Sequence, residues 1–365
     1  MAFELGLVGL PNVGKSTLYN ALTQAGALVA NYPFTTIEPN VGVASVPDER
    51  LARIAEIIGP EEVVSATLRV VDIAGLVRGA SAGEGLGNQF LSHIRAVDAI
   101  AMVVRCFESA EVAHVAAVLD PIDDIEIVEA ELMLSDLGLV ERQIERVADR
   151  AKAAPREHAA EIDALHSLAD RLRRGRWLAS EDLDTHERDQ VARLDLLTTK
   201  ALIYVANVGE SDLPEGGPLA EQVRAHAARR QASCVVVCAQ LEADLGVFTP
   251  EETAALLADV DLGGGGLRKL VQVGYAVLDY ITFFTTTGGR QIRAWELQRG
   301  KTALDAAARV HSDMARGFVR AEVVSFDALD RAGSLARARD RGVLRLEGRD
   351  YLVEDGDIIH IRFTP

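Results

Sequence analysis

Cysteine is scarce in this chain of 365 residues, and the three present, Cys106, Cys234 and Cys238, all sit in apolar, strand-like runs. No C-x-x-C pair occurs, so neither a disulfide framework nor a zinc site is supported. Aromatic residues make up only 5%, which argues against a wall of stacking platforms for single-stranded nucleic acid. No run of about 18 apolar residues exists to span a bilayer. The start, MAFELGLVGLPNVGKS, has neither a basic leader nor a cleavable apolar stretch. Positive charge is also short: 38 Lys and Arg face 55 Asp and Glu, for a net charge of −17. That balance disfavours a general binder of nucleic acid, sequence-specific DNA included, or of an anionic membrane. The deficit is uneven. Residues 281–365 carry 14 Lys/Arg and 12 Asp/Glu, or +2, which leaves −19 on the first 280. Contact with RNA is therefore expected to be local. The expectation is a soluble, cytoplasmic monomer with no membrane partner.

What is present is ample apolar material: 48% of residues, against 25% charged, enough for real cores. At roughly 150 residues per domain the length suggests two or three. Phe3–Gly9, Thr67–Ile73, Ala99–Phe107, Ala201–Ala206 and Ser233–Ala239 are rich in Val, Ile, Leu and Ala. They read as strands covered on both faces, as a parallel sheet requires. Between the third and fourth lies a different texture. Ala130, Met133, Leu137, Val140, Ile144, Val147 and Ala151 step alternately by three and four, with Glu and Arg outside. That heptad starts near Glu126 and breaks at Pro155, and Ile162, Leu165, Ala169 and Leu172 resume it. The pattern predicts two antiparallel helices in a coiled-coil insertion; an ordinary surface helix pair is the alternative. Gly263–Gly266 make a glycine hinge before a helix over 267–278. Beyond Tyr280 come short strand candidates at 281–287, 290–297, 319–325, 343–346, 351–353 and 358–363, with one helix opened by Thr302 and Asp305. The expected division is an α/β nucleotide domain in two segments, 1–125 and 200–280, a helical insertion at 126–199, and an α+β domain at 281–365.

Gly9-Leu-Pro-Asn-Val-Gly14-Lys15-Ser16-Thr17 matches the P-loop pattern G-x-x-x-x-G-K-[ST], with a buried strand before it and a helical run after it. The glycines let backbone N–H groups curl around a β-phosphate at a helix N-terminus. Lys15 offers a point charge to the β/γ oxygens, and the Ser16 hydroxyl can ligate Mg²⁺. Asp72-Ile-Ala-Gly75 follows a hydrophobic strand, so Asp72 can hold a Mg²⁺-bound water while the Gly75 N–H meets the γ-phosphate. Thr36 can close over the metal as a first switch, or Thr35 and Thr36 are plain loop hydroxyls. The glycine-rich stretch 78–87 has the mobility a second switch needs. A metabolic kinase is disfavoured, because no acceptor-substrate signature accompanies these two γ-phosphate sensors.

The base-reading element departs from the guanine pattern. Domains that select guanine carry Asn-Lys-x-Asp, whose carboxylate accepts from guanine N1–H and N2–H₂. Here Asn207-Val208-Gly209-Glu210 stands instead, with Lys replaced by Val and Asp by the longer Glu. A misplaced carboxylate loses most of its discrimination. The Asn207 amide can serve adenine instead, donating to N7 and accepting from the N6 amine, with Val208 packed on the ring. Cys238-Ala239-Gln240 occupies the second base loop. The residue after Gly75 is Leu76, which cannot orient an attacking water, so hydrolysis is expected to be slow or to use another group. His114 is the leading candidate, ahead of His93 and Asn88, although each of these types is more often structural than catalytic.

GLPNVGKST, NYPFTTIEP, DIAGLVRGASAGEGLGNQFL and NVGE, together with the helical insertion and the carboxy-terminal α+β module, resemble the YchF family of Obg-related ATPases. The resemblance covers nearly the whole chain. It implies a Ras-like P-loop G domain with a mainly parallel sheet, an inserted coiled-coil domain and a C-terminal β-grasp (TGS) domain. It further implies ATP preferred over GTP, Mg²⁺ dependence, slow hydrolysis and association with the ribosome through its large subunit. Carried onto this chain, the phosphate loop is Asn12, Val13, Gly14, Lys15, Ser16 and Thr17, the metal ligands are Ser16 and Thr36, and the base contact is at Val208, beside Asn207, Glu210 and Ala239. Some relatives have Cys where this chain has Thr35, so redox control at that position is not expected here. An Obg-type GTPase switch and a nucleotide-gated docking module with incidental hydrolysis are the competing readings.

Overall fold

The structure, a computed structural model, describes residues 4–27, 40–73, 75, 86–109, 119–152, 154–246, 248, 252–253, 265–287 and 289–364. In chain order the first part comprises β1 (Glu4–Val8), α1 (Lys15–Ala27), β2 (Val41–Ser45), α2 (Glu49–Ile58), β3 (Glu62–Val64), β4 (Thr67–Asp72), α3 (Leu86–Ala96) and β5 (Ala99–Cys106). Then follow α4 (Pro121–Ala151), α5 (Pro155–Arg173), α6 (Thr185–Leu194), β6 (Ala201–Val208), α7 (Gly217–Arg229), β7 (Ser233–Val237), α8 (Ala239–Leu245) and α9 (Gly266–Val277). The contacts divide the chain into two units. One comprises Met1–Leu22, Ile37–Gly42 and Arg69–Leu270, the other Thr23–Thr36, Val43–Leu68 and Val271–Pro365.

Apolar runs build the first sheet, ordered β2-β4-β1-β5-β6-β7; the expected burial on both faces holds for the inner strands, whereas β4 and β7 mix buried with half-buried positions because they lie toward the sheet's edges. The pairings β4/β1, β1/β5, β5/β6 and β6/β7 are all parallel. β5 is buried along its whole length and β6 from Leu202 onward, as expected of strands with helices on either side. One boundary moves. β6 runs through Val208 because it lies between two partners: Asn207 faces Arg105 and Val237, and Val208 faces Cys106. Those two residues are therefore strand, not turn. The order also places β1 where the connections diverge to either side, the usual position for a ligand at the carboxyl ends of a doubly wound sheet.

α4 starts five residues before the expected onset at Glu126. The Asp120 carboxylate accepts from Ile122 N and Asp123 N at 2.9 and 3.3 Å, and Pro121 takes the first helical position, where its missing N–H costs nothing. The predicted seam forms between its ends: Met133, Leu137, Val140, Ile144 and Val147 join Ile162, Leu165, Ala169 and Leu172 in one cluster, while Ala130 is exposed and Ala151 half-buried outside it. Leu178, Leu183 and Leu196 join it too, so the segment after α5 closes over the helix pair. α6 belongs to that segment, opened by a reciprocal cap between Asp184 and Glu187. Below the seam α4 is tied to the sheet by a buried carboxylate. Glu129 accepts from Tyr204 Oη on β6 and pairs with His226 Nε2 at 2.9 Å and with Arg230. Burial works against its charge, but the bonds from His226 and Tyr204 and the charge of Arg230 outweigh that, holding its pKa below the ordinary glutamate value.

The second unit continues with β8 (Tyr280–Thr287), β9 (Gln291–Gln298), α10 (Ala303–Val310), α11 (Ser312–Arg316), β10 (Phe318–Ser325), α12 (Phe326–Ala332), α13 (Leu335–Asp340), β11 (Arg345–Glu347) and β12 (Asp357–Phe363). Its sheet runs β11-β10-β12-β8-β9-β3, and Ala303, Ala306 and Ala307 of α10 pack against Phe283, Trp295, Val323 and Ile359 in its core. The Thr302–Asp305 capping box is present. One strand candidate is corrected: 351–353 forms only an isolated bridge, Thr302 to Leu352. No motif or period foretells the excursion at 43–68. β3 pairs parallel with β9, while α2 meets the same unit through Arg50 with Asp355 and Arg53 with Asp330, at 2.9 and 2.7 Å. Among the described residues no helix is long and apolar enough to cross a membrane.

Candidate nucleotide site

The turn after β1 adopts backbone conformations that only certain residues tolerate. Asn12 has φ +63° and Gly14 φ +92°, and a Cβ at Gly14 would lie 2.3 Å from the Asn207 amide nitrogen. Glycine is thus required there twice over, by backbone and by space. Leu18 N reaches Gly14 O at 3.0 Å, so the helix begins as the turn ends and its first N–H groups face outward as an anion cradle. Lys15, the first residue of α1, is buried, with Nζ 3.5 Å from the Leu10 carbonyl. Desolvation lowers its pKa, and the nearby Asp72 charge opposes that.

Asp72 ends β4, next to β1. Its Oδ2 accepts from Ser16 Oγ at 3.1 Å. Its Oδ1 is buried and has no hydrogen-bond partner among the described residues. A buried carboxylate oxygen left unpaired is costly, and a serine hydroxyl beside it completes an oxygen donor set suited to a hard divalent cation and its water. These residues therefore fit Mg²⁺. Gly75 lies against the P-loop, since a Cβ there would stand 3.3 Å from Pro11 N.

Asn12, Gly14, Lys15, Ser16, Thr17, Asn207, Val208, Glu210 and Ala239 come together around one cleft of about 820 Å³. Val13 is buried beneath it, and its carbonyl accepts from Asn207 Nδ2 at 2.9 Å. Asn207 Oδ1 accepts from Ala239 N at 3.0 Å. At 4% exposure the Asn207 amide braces the phosphate loop against the second base loop with one N–H and one lone pair of its oxygen, a role the sequence reading did not assign to it. Val208, Cys238 and Ala239 line the same end of the cleft, and the exposed Glu210 stands on the short 3₁₀ turn Glu210–Asp212. Phe107, Glu108 and Ser109 also line the cleft and were missed by motif reading. They follow β5, so the rule that ligands gather at carboxyl ends of strands would have flagged them. Arg105 stacks over Phe107 with its guanidinium carbon 4.7 Å from the ring centre. His93 is exposed on α3 and does not line the cleft. Thr35, Thr36, Leu76 and His114 lie outside the described residues, as does the side chain of Asn88.

A parallel sheet, a glycine turn with a buried lysine on the following helix, and a serine–aspartate pair beside it define a P-loop nucleotide-binding protein of the GTPase-like class. Two family profiles match: one described as "50S ribosome-binding GTPase" over residues 4–155, and the YchF-GTPase_C profile, described as a protein of unknown function, over 280–364. The "Ribosome-binding ATPase YchF" of Bacillus subtilis is 44% identical over 366 residues and that of Haemophilus influenzae 45% over 364, each alignment spanning 100% of both chains. A solved structure of the Schizosaccharomyces pombe YchF GTPase superposes with a TM-score of 0.87 at 34% identity, covering 99% of this chain and 97% of that one. The chain belongs to the YchF family.

Proposed function

We propose that this protein is a slow, Mg²⁺-dependent ATPase that associates with the ribosome in the cytoplasm and whose nucleotide state sets the posture of its helical insertion and carboxy-terminal module. In this reading the nucleotide domain occupies 1–125 and 200–280, the insertion 126–199 and the TGS-type module 281–365, with the 43–68 excursion packed into the last. The printed names of the full-length relatives support the activity and the partner. The observation that carries the reading is a P-loop phosphate end joined to an altered base end: Lys15, Ser16 and Asp72 come together, while the position of the guanine-selecting lysine holds the buried Val208.

Water attacks the γ-phosphate in line. Lys15 and the N–H groups around Gly14 neutralise the charge that builds on the phosphate oxygens, and Gly75 senses the γ-phosphate. Ser16 and Thr36 would hold Mg²⁺, with Asp72 acting through a water, and the ion would supply further charge neutralisation. Leu76 has no group to orient the water, which is why turnover is slow; we assign that orientation to His114. Replacing His114 with alanine lowers turnover and leaves ATP affinity unchanged, whereas unaltered turnover removes it from the mechanism. The deciding experiment is a side-by-side titration of ATP and GTP with Mg²⁺. ATP binds more tightly on this reading; equal or tighter GTP binding would make the protein a guanine-nucleotide switch of the Obg type.

A further inference from the structure

The second base loop is held from two sides, and one of them lies outside the nucleotide cleft. On the cleft side Ala239 N donates to Asn207 Oδ1 at 3.0 Å. On the other side the hold passes through Glu242 on α8. Its backbone N–H donates to Cys238 O at 3.0 Å, closing the first turn of α8 on the loop itself. Its side chain does not line the cleft but crosses to α9, where Oε1 accepts from Gly266 N and, at 3.0 Å, from Leu267 N. A carboxylate taking two N–H groups at a helix start makes a strong, directional contact. α9 is in turn seated on β7. Gly266, the last of the four-glycine run, lies so close that a Cβ there would stand 2.9 Å from both Val236 O and Val237 Cα, an approach that needs glycine. β7 ends at Val237, and the base loop follows at once. A helix of seven residues like α8 has little stability of its own. Its apolar cluster has a single buried member among the described residues, Leu245, packed by Leu213 and Leu241.

We propose that Glu242 is a positioning residue for the nucleotide base: it fixes Cys238 and Ala239 against the seated start of α9 and so sets affinity for the base from outside the cleft. The inference rests on the ATP-binding reading above and adds a residue to that site. The contacts form one chain. They run from the β7 backbone to Gly266, from the Gly266 N–H to the Glu242 carboxylate, and from the Glu242 N–H to the Cys238 carbonyl at the cleft wall. The phosphate loop has separate support, because the bond from Asn207 Nδ2 to Val13 O does not pass through α8. Loss of the Glu242 side chain therefore loosens the base end and leaves the phosphate end in place.

The test uses the full-length protein and two ligands, each titrated with Mg²⁺: ATP, and inorganic tripolyphosphate, which has the phosphates and no base. Glu242→Ala lowers ATP affinity about tenfold and leaves tripolyphosphate affinity within about twofold. Glu242→Gln, whose amide oxygen accepts from the same two N–H groups, keeps ATP affinity within about threefold of the unmodified protein. Glu242→Asp, one methylene short of α9, falls between them. It carries the test if Tm measurements show the alanine variant unfolded. Equal losses for ATP and tripolyphosphate in a folded alanine or aspartate variant overturn the inference, because a merely structural role weakens both ligands together. Unchanged ATP affinity in those variants overturns it as well. A preference of the unmodified protein for GTP defeats the ATP reading instead. GTP then replaces ATP in the same comparison, and a loss confined to GTP upholds the role of Glu242 while an equal loss or none removes it.

Discussion

Asn207 shows how a residue's role is set by what surrounds it. Sequence reading places an amide at the base end of the site; in the structure its donor holds Val13 O and its acceptor holds Ala239 N. Asn207→Ala leaves both of those backbone groups without this partner, so stability falls by about 2–3 kcal/mol. Because the brace joins the phosphate loop to the base loop, the loss of affinity is similar for ATP and GTP; thermal unfolding and paired titrations measure both. The double change Val208→Lys, Glu210→Asp acts differently. It restores the guanine pattern on the same strand end and shifts the GTP-to-ATP affinity ratio toward GTP by roughly tenfold or more, read in the same titration. At this scale the phosphate half of the site was legible in sequence, because a turn with positive φ at Gly14 and a lysine on the next helix are local demands. The base half was only partly legible. Phe107 and Ser109 reach the cleft through the order of strands, and a linear motif does not record strand order.

Elements with a long, regular period were the most readable. The α4–α5 seam followed from spacing alone, since one apolar stripe per helix needs another to cover it. Short elements were not. β3 has three residues, too few to show a period, and it exists because β9 offers it an edge. Equally hidden was the anchor of the helical segment, Glu129, which in sequence looks like one more outward-facing acid of the heptad. Burial among Tyr204, His226 and Arg230 makes it an anchor. Its pKa is lowered in the folded state, so its contribution to stability is complete above the unfolded value of about 4.5 and is lost as pH falls through the folded one. Glu129→Gln removes that component, and denaturant titrations from pH 6 to 3 give a flatter loss of stability than in the unmodified protein. Glu129→Leu leaves Arg230 without its buried counter-charge and costs about 3–5 kcal/mol at neutral pH.

Across the whole molecule, charge and ligand linkage act on different units. ATP with Mg²⁺ at 100 times its Kd stabilises the unit that binds it by about 2.7 kcal/mol. Amide hydrogen exchange then slows in β1, α1 and residues 207–210 and 239–241, while the strands between 318 and 363 exchange as before; equal protection in both regions would show that the nucleotide is not held by the P-loop cleft alone. The sequence by itself determined the phosphate cradle, the parallel α/β core, the helical insertion and the excess of acid outside the last 85 residues, because each depends on spacing or composition over a short stretch. Only the tertiary structure decided that Asn207 is a brace, that Glu62–Val64 complete the second sheet, and that two arginines 42 positions apart stand face to face. Each of those depends on strand register, which is settled only when distant segments pair and bury their apolar sides together.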